Sequence, residues 1–225
     1  GHAVFIRKIG VRFSYGLHST IQSMKILIIG TPRSGTSALV RAFSNSIGCK
    51  SYGEPWNRSL RENQLPFPYQ FENKCVVKTL VHDIPEEFKD KPILDFYSAL
   101  SSSFDKIILL GRKNIDDLTV SFAYQMEEDE KKKRTRNSWH TPYTVDIKNL
   151  DIPRWKPEVK KWCTLLQDIS IHLNTNITWY EDLYSGNTQY VDKFIKNLEV
   201  DLNKKTFYKW VNPDKKLRRQ RLPLI

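Results

Sequence analysis

Residues 30–37 read Gly-Thr-Pro-Arg-Ser-Gly-Thr-Ser, a short loop with one fixed cation, Arg33, set among hydroxyls and glycines. A guanidinium fork beside the hydroxyls of Thr36 and Ser37 suits a compact tetrahedral anion held without a metal. The spacing is that of a P-loop with one difference. The nucleotide-triphosphatase pattern needs Lys and then Ser or Thr after the second glycine, for phosphates and magnesium. Here Gly35 is followed by Thr36 and Ser37, and the cation lies inside the loop. Other residues able to do chemistry follow. Glu54 is the first carboxylate in the chain, so everything before it is electropositive, and Pro55 and Trp56 come straight after it. Lys78 and His82 stand four residues apart, and Arg112 and Lys113 close an apolar run shortly before Ser121.

These residues need elements to hold them. Residues 26–29 are apolar, rich in β-branched side chains and too few for a usual helix, which predicts a buried parallel strand. Helical spacing follows over about 36–47, with Gly48 as its C-cap. Strand, glycine loop and helix together aim backbone N–H groups and a positive helix end at an anion. Further strands are predicted at 74–81, 106–110 and 176–180, and further helices at 93–102, 158–173 and 190–198. On a strand, offsets of two and four share a face, so Lys78 and His82 would point the same way, His82 about 7 Å beyond the offset-two position. Residues 58–73 read as an irregular segment or short helix over the site, and 85–91 as a charged turn or short helix. Residues 127–136, acid then base, read as a solvated helix end or mobile loop. A long loop reaching Pro157 and carrying Trp139, His140, Tyr143 and Trp155 is expected to be a lid or acceptor-binding segment. The pattern predicts an α/β domain, a P-loop-like three-layer sandwich with a central parallel sheet, helices on both faces and the ligand at the C-terminal strand ends.

With those motifs in place, the chain resembles the sulfotransferases over roughly residues 25–198. Their TPRSGTS-type loop holds the 5′-phosphosulfate of 3′-phosphoadenosine 5′-phosphosulfate (PAPS). The resemblance implies that role for Arg33, Ser34, Gly35, Thr36 and Ser37. Arg33 would also steady the charge that builds on the bridging oxygen as the product PAP leaves. Many members clamp the 3′-phosphate with a strand-end arginine and a serine on the next helix. That implies Ser121 with Arg112 or Lys113, the spacing leaving open which cation binds.

The stretch Gly53-Glu54-Pro55-Trp56 is similar to the F-E-P-x-W of carbohydrate sulfotransferases. In tyrosylprotein sulfotransferases a G-E-E stretch stands here, and its glutamate is the base. Transfer to a hydroxyl needs a group to take its proton, and the resemblance implies Glu54. Residues 74–81 resemble the KTH-bearing strand of the cytosolic branch. Lys78 and Thr79 match, while His82 lies two residues beyond the usual histidine and remains the rival base. Tyr180-Glu181-Asp182-Leu183 is similar to a Y-E-D-L that follows a strand near the nucleotide in this family. The family's C-terminal R-K-G is not matched, because no glycine accompanies Arg218 and Arg219.

The remaining bounds are broad. The 225 residues suffice for one domain with a full core, taken as 24–225. Residues 1–23, basic and free of acid, read as an extension or leader of uncertain origin. The net charge of +11 favours anionic partners. In the basic run at 131–136 the neighbouring acids disfavour nucleic acid. No apolar run is long enough to span a membrane and no signal peptide is visible, so a cytoplasmic protein is expected. The three cysteines, Cys49, Cys75 and Cys163, form no disulfide or zinc pattern. The expected activity is sulfuryl transfer from PAPS, without a metal, to a hydroxyl or amine of a small molecule or glycan. The alternatives are a P-loop nucleotide kinase, which the acid-free strand at 106–110 disfavours, and a non-catalytic binder of PAP or polyanions.

Overall fold

The computed structural model describes residues 23–57, 65–135 and 147–212, with the side chains of 131–135 and 147 left aside. Five strands form one sheet: β1 (Met24–Gly30), β2 (Lys50–Gly53), β3 (Lys74–Leu80), β4 (Lys106–Gly111) and β5 (Ile177–Trp179). Their order is β2-β3-β1-β4-β5, and every pairing is parallel. The helices are α1 (Thr36–Ile47), α2 (Ile93–Ser101), α3 (Ile115–Thr135), α4 (Ile152–His172), α5 (Tyr180–Leu183), α6 (Thr188–Leu198) and α7 (Lys204–Val211), with short 3-10 turns at Glu86–Phe88 and Ile147–Asn149.

The centre of the sheet follows from β1. Residues 26–29 are all fully buried, as a strand covered on both faces requires. Ile26 and Ile28 enter one apolar cluster with α1, α6 and α7. Leu27 and Ile29 enter another with α2, α3 and α4. The alternation splits one strand between two cores and gives a three-layer α/β sandwich. The chain visits one side of β1 through α1, β2 and β3, then crosses to β4 on the other. That reversal makes β1 the topological switch point, where the ends of neighbouring strands leave a crevice.

Register decides what meets there. Gly30 lies opposite Leu80 of β3 and Leu110 of β4, so three strands end level with one another. Beyond that line the Val81 N–H still donates to the Gly30 carbonyl at 3.1 Å. Gly30 is needed for close approach. A Cβ there would come 2.5 Å from the Thr36 side chain and 2.7 Å from the Leu110 carbonyl oxygen.

Several expectations change. Residues 50–53, for which the sequence pattern predicts no element, form the edge strand β2 because they pair with residues 75–78 of β3. β3 ends at Leu80, so His82 lies in the following turn and the shared strand face with Lys78 does not hold. α4 starts six residues before its expected position. Asp151 caps it by accepting from the Arg154 N–H at 3.1 Å, and Pro153 fits the first turn, where no N–H is needed. The expected loop through Pro157 is therefore helical from Ile152 on. α3 runs on to Thr135, and the charged block at its end is helix. α7 was not anticipated. Residues 1–22, 58–64, 136–146 and 213–225 lie outside the described residues, and with them His140, Trp139, Tyr143, Arg218 and Arg219. Among the described residues no helix is long and apolar enough to cross a membrane.

Replacing Gly30 by alanine should lower stability by about 1–3 kcal/mol, because the new methyl meets backbone that cannot move alone. Urea unfolding of the variant against the parent measures this, and an unchanged midpoint would mean that the loop is not seated on β4 in this way.

Candidate functional site

The loop after β1 is built from within. Ser34 donates to the Thr31 carbonyl through its hydroxyl at 2.7 Å and through its N–H at 3.3 Å, closing a tight turn. Ser34 and Thr36 are both buried, and the Ser34 hydroxyl is turned inward onto the Thr31 carbonyl. Arg33, Gly35 and Ser37 remain for contact with a ligand. Gly35 caps α1 in the left-handed region, at φ 86°, with no side-chain capping bond, and no acid stands in the first turn of the helix. No side chain caps or offsets the positive end of the helix dipole, the condition under which helix ends attract anions. A side chain at Gly35 would strike Tyr180 at 2.9 Å and Tyr184 at 3.0 Å, and the Tyr184 hydroxyl donates to the Gly35 carbonyl at 2.9 Å.

Backbone strain singles out two residues. Among the described residues four non-glycine residues have positive φ, and Asn174 and Glu199 follow helices, where this conformation is common. The other two are Arg33, at 63°, and Glu54, at 48°. Each left-handed residue costs on the order of 1–2 kcal/mol. Strain kept at a charged residue is a pointer to a functional site.

Glu54 leaves β2 with its N–H still donating to the Lys78 carbonyl at 2.8 Å. Its side chain is held from two sides. The Asn57 amide donates to Oε2 at 3.1 Å, and the Lys78 ammonium makes a close ion pair with Oε1. The same ammonium donates to the Ser37 hydroxyl at 2.9 Å. Lys78 is therefore a bridge from the first turn of α1 to the carboxylate. Both partners are nearly out of solvent, with side-chain exposures of 9% for Lys78 and 12% for Glu54. Trp56 is buried behind them. The sequence named Lys78 only through a resemblance; its contact with Glu54 joins residues 24 apart on different strands.

On the other side of the loop, the Arg33 Nε donates to the Ser121 hydroxyl on α3 at 3.1 Å. The Arg112 guanidinium lies over the Tyr180 ring, 4.3 Å from its centroid, and donates to the Asp117 carbonyl at 3.4 Å. Its Nε is buried and has no partner among the described residues, as is true of the Thr31 hydroxyl in the loop. Unpaired buried polar atoms are rare, and each calls for an explanation. Lys113 differs. Its ammonium pairs with Asp182 at 2.6 Å, and that hydrogen bond raises its pKa. The Glu181 carboxylate accepts from the N–H groups of Lys113 and Asn114 at 3.0 and 3.4 Å. Asn114 in turn caps α3, accepting from Asp116 and Asp117. The Tyr-Glu-Asp-Leu stretch thus ties the turn after β4 to the anion loop: tyrosine under Gly35, acids on residues 113 and 114.

His82 sits apart from this line. Its ring stacks on Trp162 of α4 at 4.9 Å and 22°, and its edge is open to solvent. Desolvation against the indole lowers its pKa, and Glu158 and Glu54 pull weakly the other way. Asp83, which sequence reasoning missed, is 4% exposed, and burial raises its carboxyl to about 7. The 3.8 Å approach of His82 to Asp83 is therefore not an ion pair at neutral pH. No sequence signal marks Asp83, because its burial comes from elements distant in the chain.

Cys49 and Cys75 belong to clusters on opposite faces of the sheet, and burial raises both thiols, Cys75 to about 11. Among the described residues no group of three or more His, Cys, Asp or Glu is placed to hold a metal ion. No protein-family model matches the chain, and no curated protein matches it.

The Lys78–Glu54 pair makes a specific thermodynamic prediction. Glu54→Gln leaves a buried ammonium without its counter-charge and should destabilise the fold by about 3 kcal/mol, whereas Glu54→Gln with Lys78→Met should recover most of that loss. Melting temperatures of the single and double variants decide it; equal losses in both would mean that the pair is not buried as described.

Proposed function

We propose that the chain is a PAPS-dependent sulfotransferase that delivers a sulfuryl group to a hydroxyl or amine of a small-molecule or glycan acceptor. The observation that carries this reading is the position of Lys78, bonded at once to Ser37 beside the anion loop and to Glu54. One ammonium separates an anion-binding helix end from a carboxylate, the arrangement that transfer from an anionic donor to a protonated nucleophile requires.

The residues present fit such a donor. The loop offers the first-turn N–H groups of α1 and Arg33 for one anionic group, and Arg112, with its orphaned Nε, stands across Tyr180 for a second. Ser121 stands beside Arg33, accepting from its Nε. Lys113 is committed to Asp182, which favours Arg112 as the cation for the 3′-phosphate. Ser34 and Thr36 contribute backbone N–H groups, since their side chains are buried. PAPS supplies a sulfuryl group activated by a phosphate leaving group.

The chain's residues then divide the work. Glu54 accepts the proton of the acceptor hydroxyl as the acceptor oxygen–sulfur bond forms and the sulfur–oxygen bond to the leaving phosphate breaks. Arg33 and the α1 N–H groups neutralise the charge that gathers on the departing oxygen. Lys78, next to Ser37, lies where it can stabilise the oxygens of the group in transit while orienting Glu54. Between the two candidate bases the geometry favours Glu54, because His82 is turned onto Trp162 and lies beyond the end of β3. Its lowered pKa keeps the imidazole neutral at physiological pH, so it remains chemically competent but displaced.

PAP should raise the melting temperature well above the shift given by AMP, and Arg112→Ala should shrink that difference while Lys113→Ala leaves most of it. Equal shifts from PAP and AMP in the parent chain would sink the second anion site. With labelled sulfate from PAPS and an acceptor panel, Glu54→Gln should lower kcat about a hundredfold or more and His82→Asn far less. Loss of turnover in His82→Asn with near-normal Glu54→Gln would reverse the two roles.

A further inference from the structure

Asp83 has no part in the reaction as described, yet it occupies the turn that ends β3 beside the candidate base. Its N–H donates to the Leu80 carbonyl at 2.9 Å, and its Oδ2 accepts from the Leu80 N–H at 3.1 Å. The two bonds close the turn of residues 80–83 from both directions. The hydroxyl of Tyr97, on α2, donates to the same Leu80 carbonyl at 3.1 Å. The next residue, Val81, is bonded to Gly30 at the root of the anion loop. One carboxyl therefore fixes the place where β3 stops, two residues beyond Lys78. Its other oxygen, Oδ1, faces the His82 imidazole at 3.8 Å.

A carboxyl used only to staple a turn would serve equally well on the surface. This one is buried, with no Lys or Arg bonded to it among the described residues, and it feels the charges of both Lys78 and Glu54. Resting on the sulfotransferase reading above, we propose that Asp83 is a positioning residue for proton transfer: it holds the end of β3 so that Lys78 and Glu54 meet, and its ionisation places a second negative charge beside Glu54 that strengthens Glu54 as the proton acceptor.

The surrounding groups define the sign. Facing Asp83 are Glu54 from the end of β2, Lys78 from β3, His82 from its own turn and the Tyr97 hydroxyl from α2, with Glu158 of α4 acting on His82. Desolvation and the Glu54 charge keep Asp83 protonated, while the Leu80 N–H and Lys78 favour ionisation, and the balance leaves it titrating at about 7. Burial lowers the pKa of His82 and raises that of Asp83, which shifts proton affinity from the imidazole towards the carboxyl. A carboxyl raised in the folded state and ordinary in the unfolded one is a stabilising presence only while protonated. Fold stability should fall as pH rises from about 4 towards 7 and stop falling above. Base strength moves the opposite way, so turnover should climb as the fold loses that increment.

The test compares Asp83→Asn with the parent. Asparagine keeps an oxygen for the Leu80 N–H and cannot ionise. Measured with PAPS and a hydroxyl acceptor, parental kcat should rise between about pH 6 and pH 8, and the variant should lose that rise, ending about three- to tenfold slower at the upper limit. The PAP-induced thermal shift should be retained. The variant's melting temperature should also exceed the parent's by more at the alkaline end than at the acid end. A variant with the parent's pH profile overturns the proposal, as does one that loses PAP binding and activity together, which would make Asp83 structural only. If Asp83→Asn fails to fold, Asp83→Glu serves, with the expected result a displaced pH midpoint and the overturning one an unmoved midpoint. A parent chain that binds PAP but transfers nothing at any pH defeats the sulfotransferase reading and this role with it, an outcome distinct from active transfer with an unchanged profile.

Discussion

The register of β1 between β3 and β4 sets everything else in the site. Gly30 stands opposite both Leu80 and Leu110, so three chain segments leave the sheet from one line. A shift of one residue on either side would exchange the side chains that β1 sends into its two cores, which the packing of those cores opposes. The packing of Ile26 and Ile28 against α1 and of Leu27 and Ile29 against the opposite layer therefore does more than stabilise. It brings the anion loop, the Lys78–Asp83 segment and the Arg112 turn to one edge with little freedom in their relative heights.

On that edge charge is distributed unevenly. The side towards β4 carries cations that are stacked or bonded: Arg33 to Ser121, Arg112 on Tyr180, Lys113 to Asp182. The side towards β3 carries carboxyls in a drier setting, Glu54 and Asp83, with Lys78 between the first of them and the loop. In the proposed reaction an anionic donor at the loop would meet cations at one end, and a nucleophile at the other would meet the Glu54 carboxylate. The strained backbone at Arg33 and at Glu54 fits this division, because each side chain is aimed by a conformation that local sequence would not choose.

The Tyr-Glu-Asp-Leu segment illustrates how a weak sequence signal gains meaning. Four residues after the shortest strand touch both the loop after β1 and the turn after β4, two segments far apart in the chain. Glu181 accepts from the backbone N–H groups of residues 113 and 114, Asp182 pairs with the Lys113 ammonium, and the tyrosine occupies the space that Gly35 leaves. A short helix at this position acts as a clamp whose contribution lies in tertiary contacts.

What the sequence determined by itself was local. The apolar run of β1, the glycines of the loop, the periodicity of α1 and the strand before Arg112 were legible because each depends on neighbours a few residues away. So was the α/β class, which follows from strands alternating with helices. The edge strand β2 and the start of α4 were less legible, since a four-residue polar strand gains its form from β3 and a helix holding two prolines runs against propensity. The tertiary structure alone decided the partners: Lys78 with Glu54, Lys113 with Asp182, His82 on Trp162, and Asp83 in a dry turn. These depend on distance and desolvation between residues remote in the chain. Charge and proton affinity are set by what surrounds a side chain in space, and the order of residues does not state those surroundings.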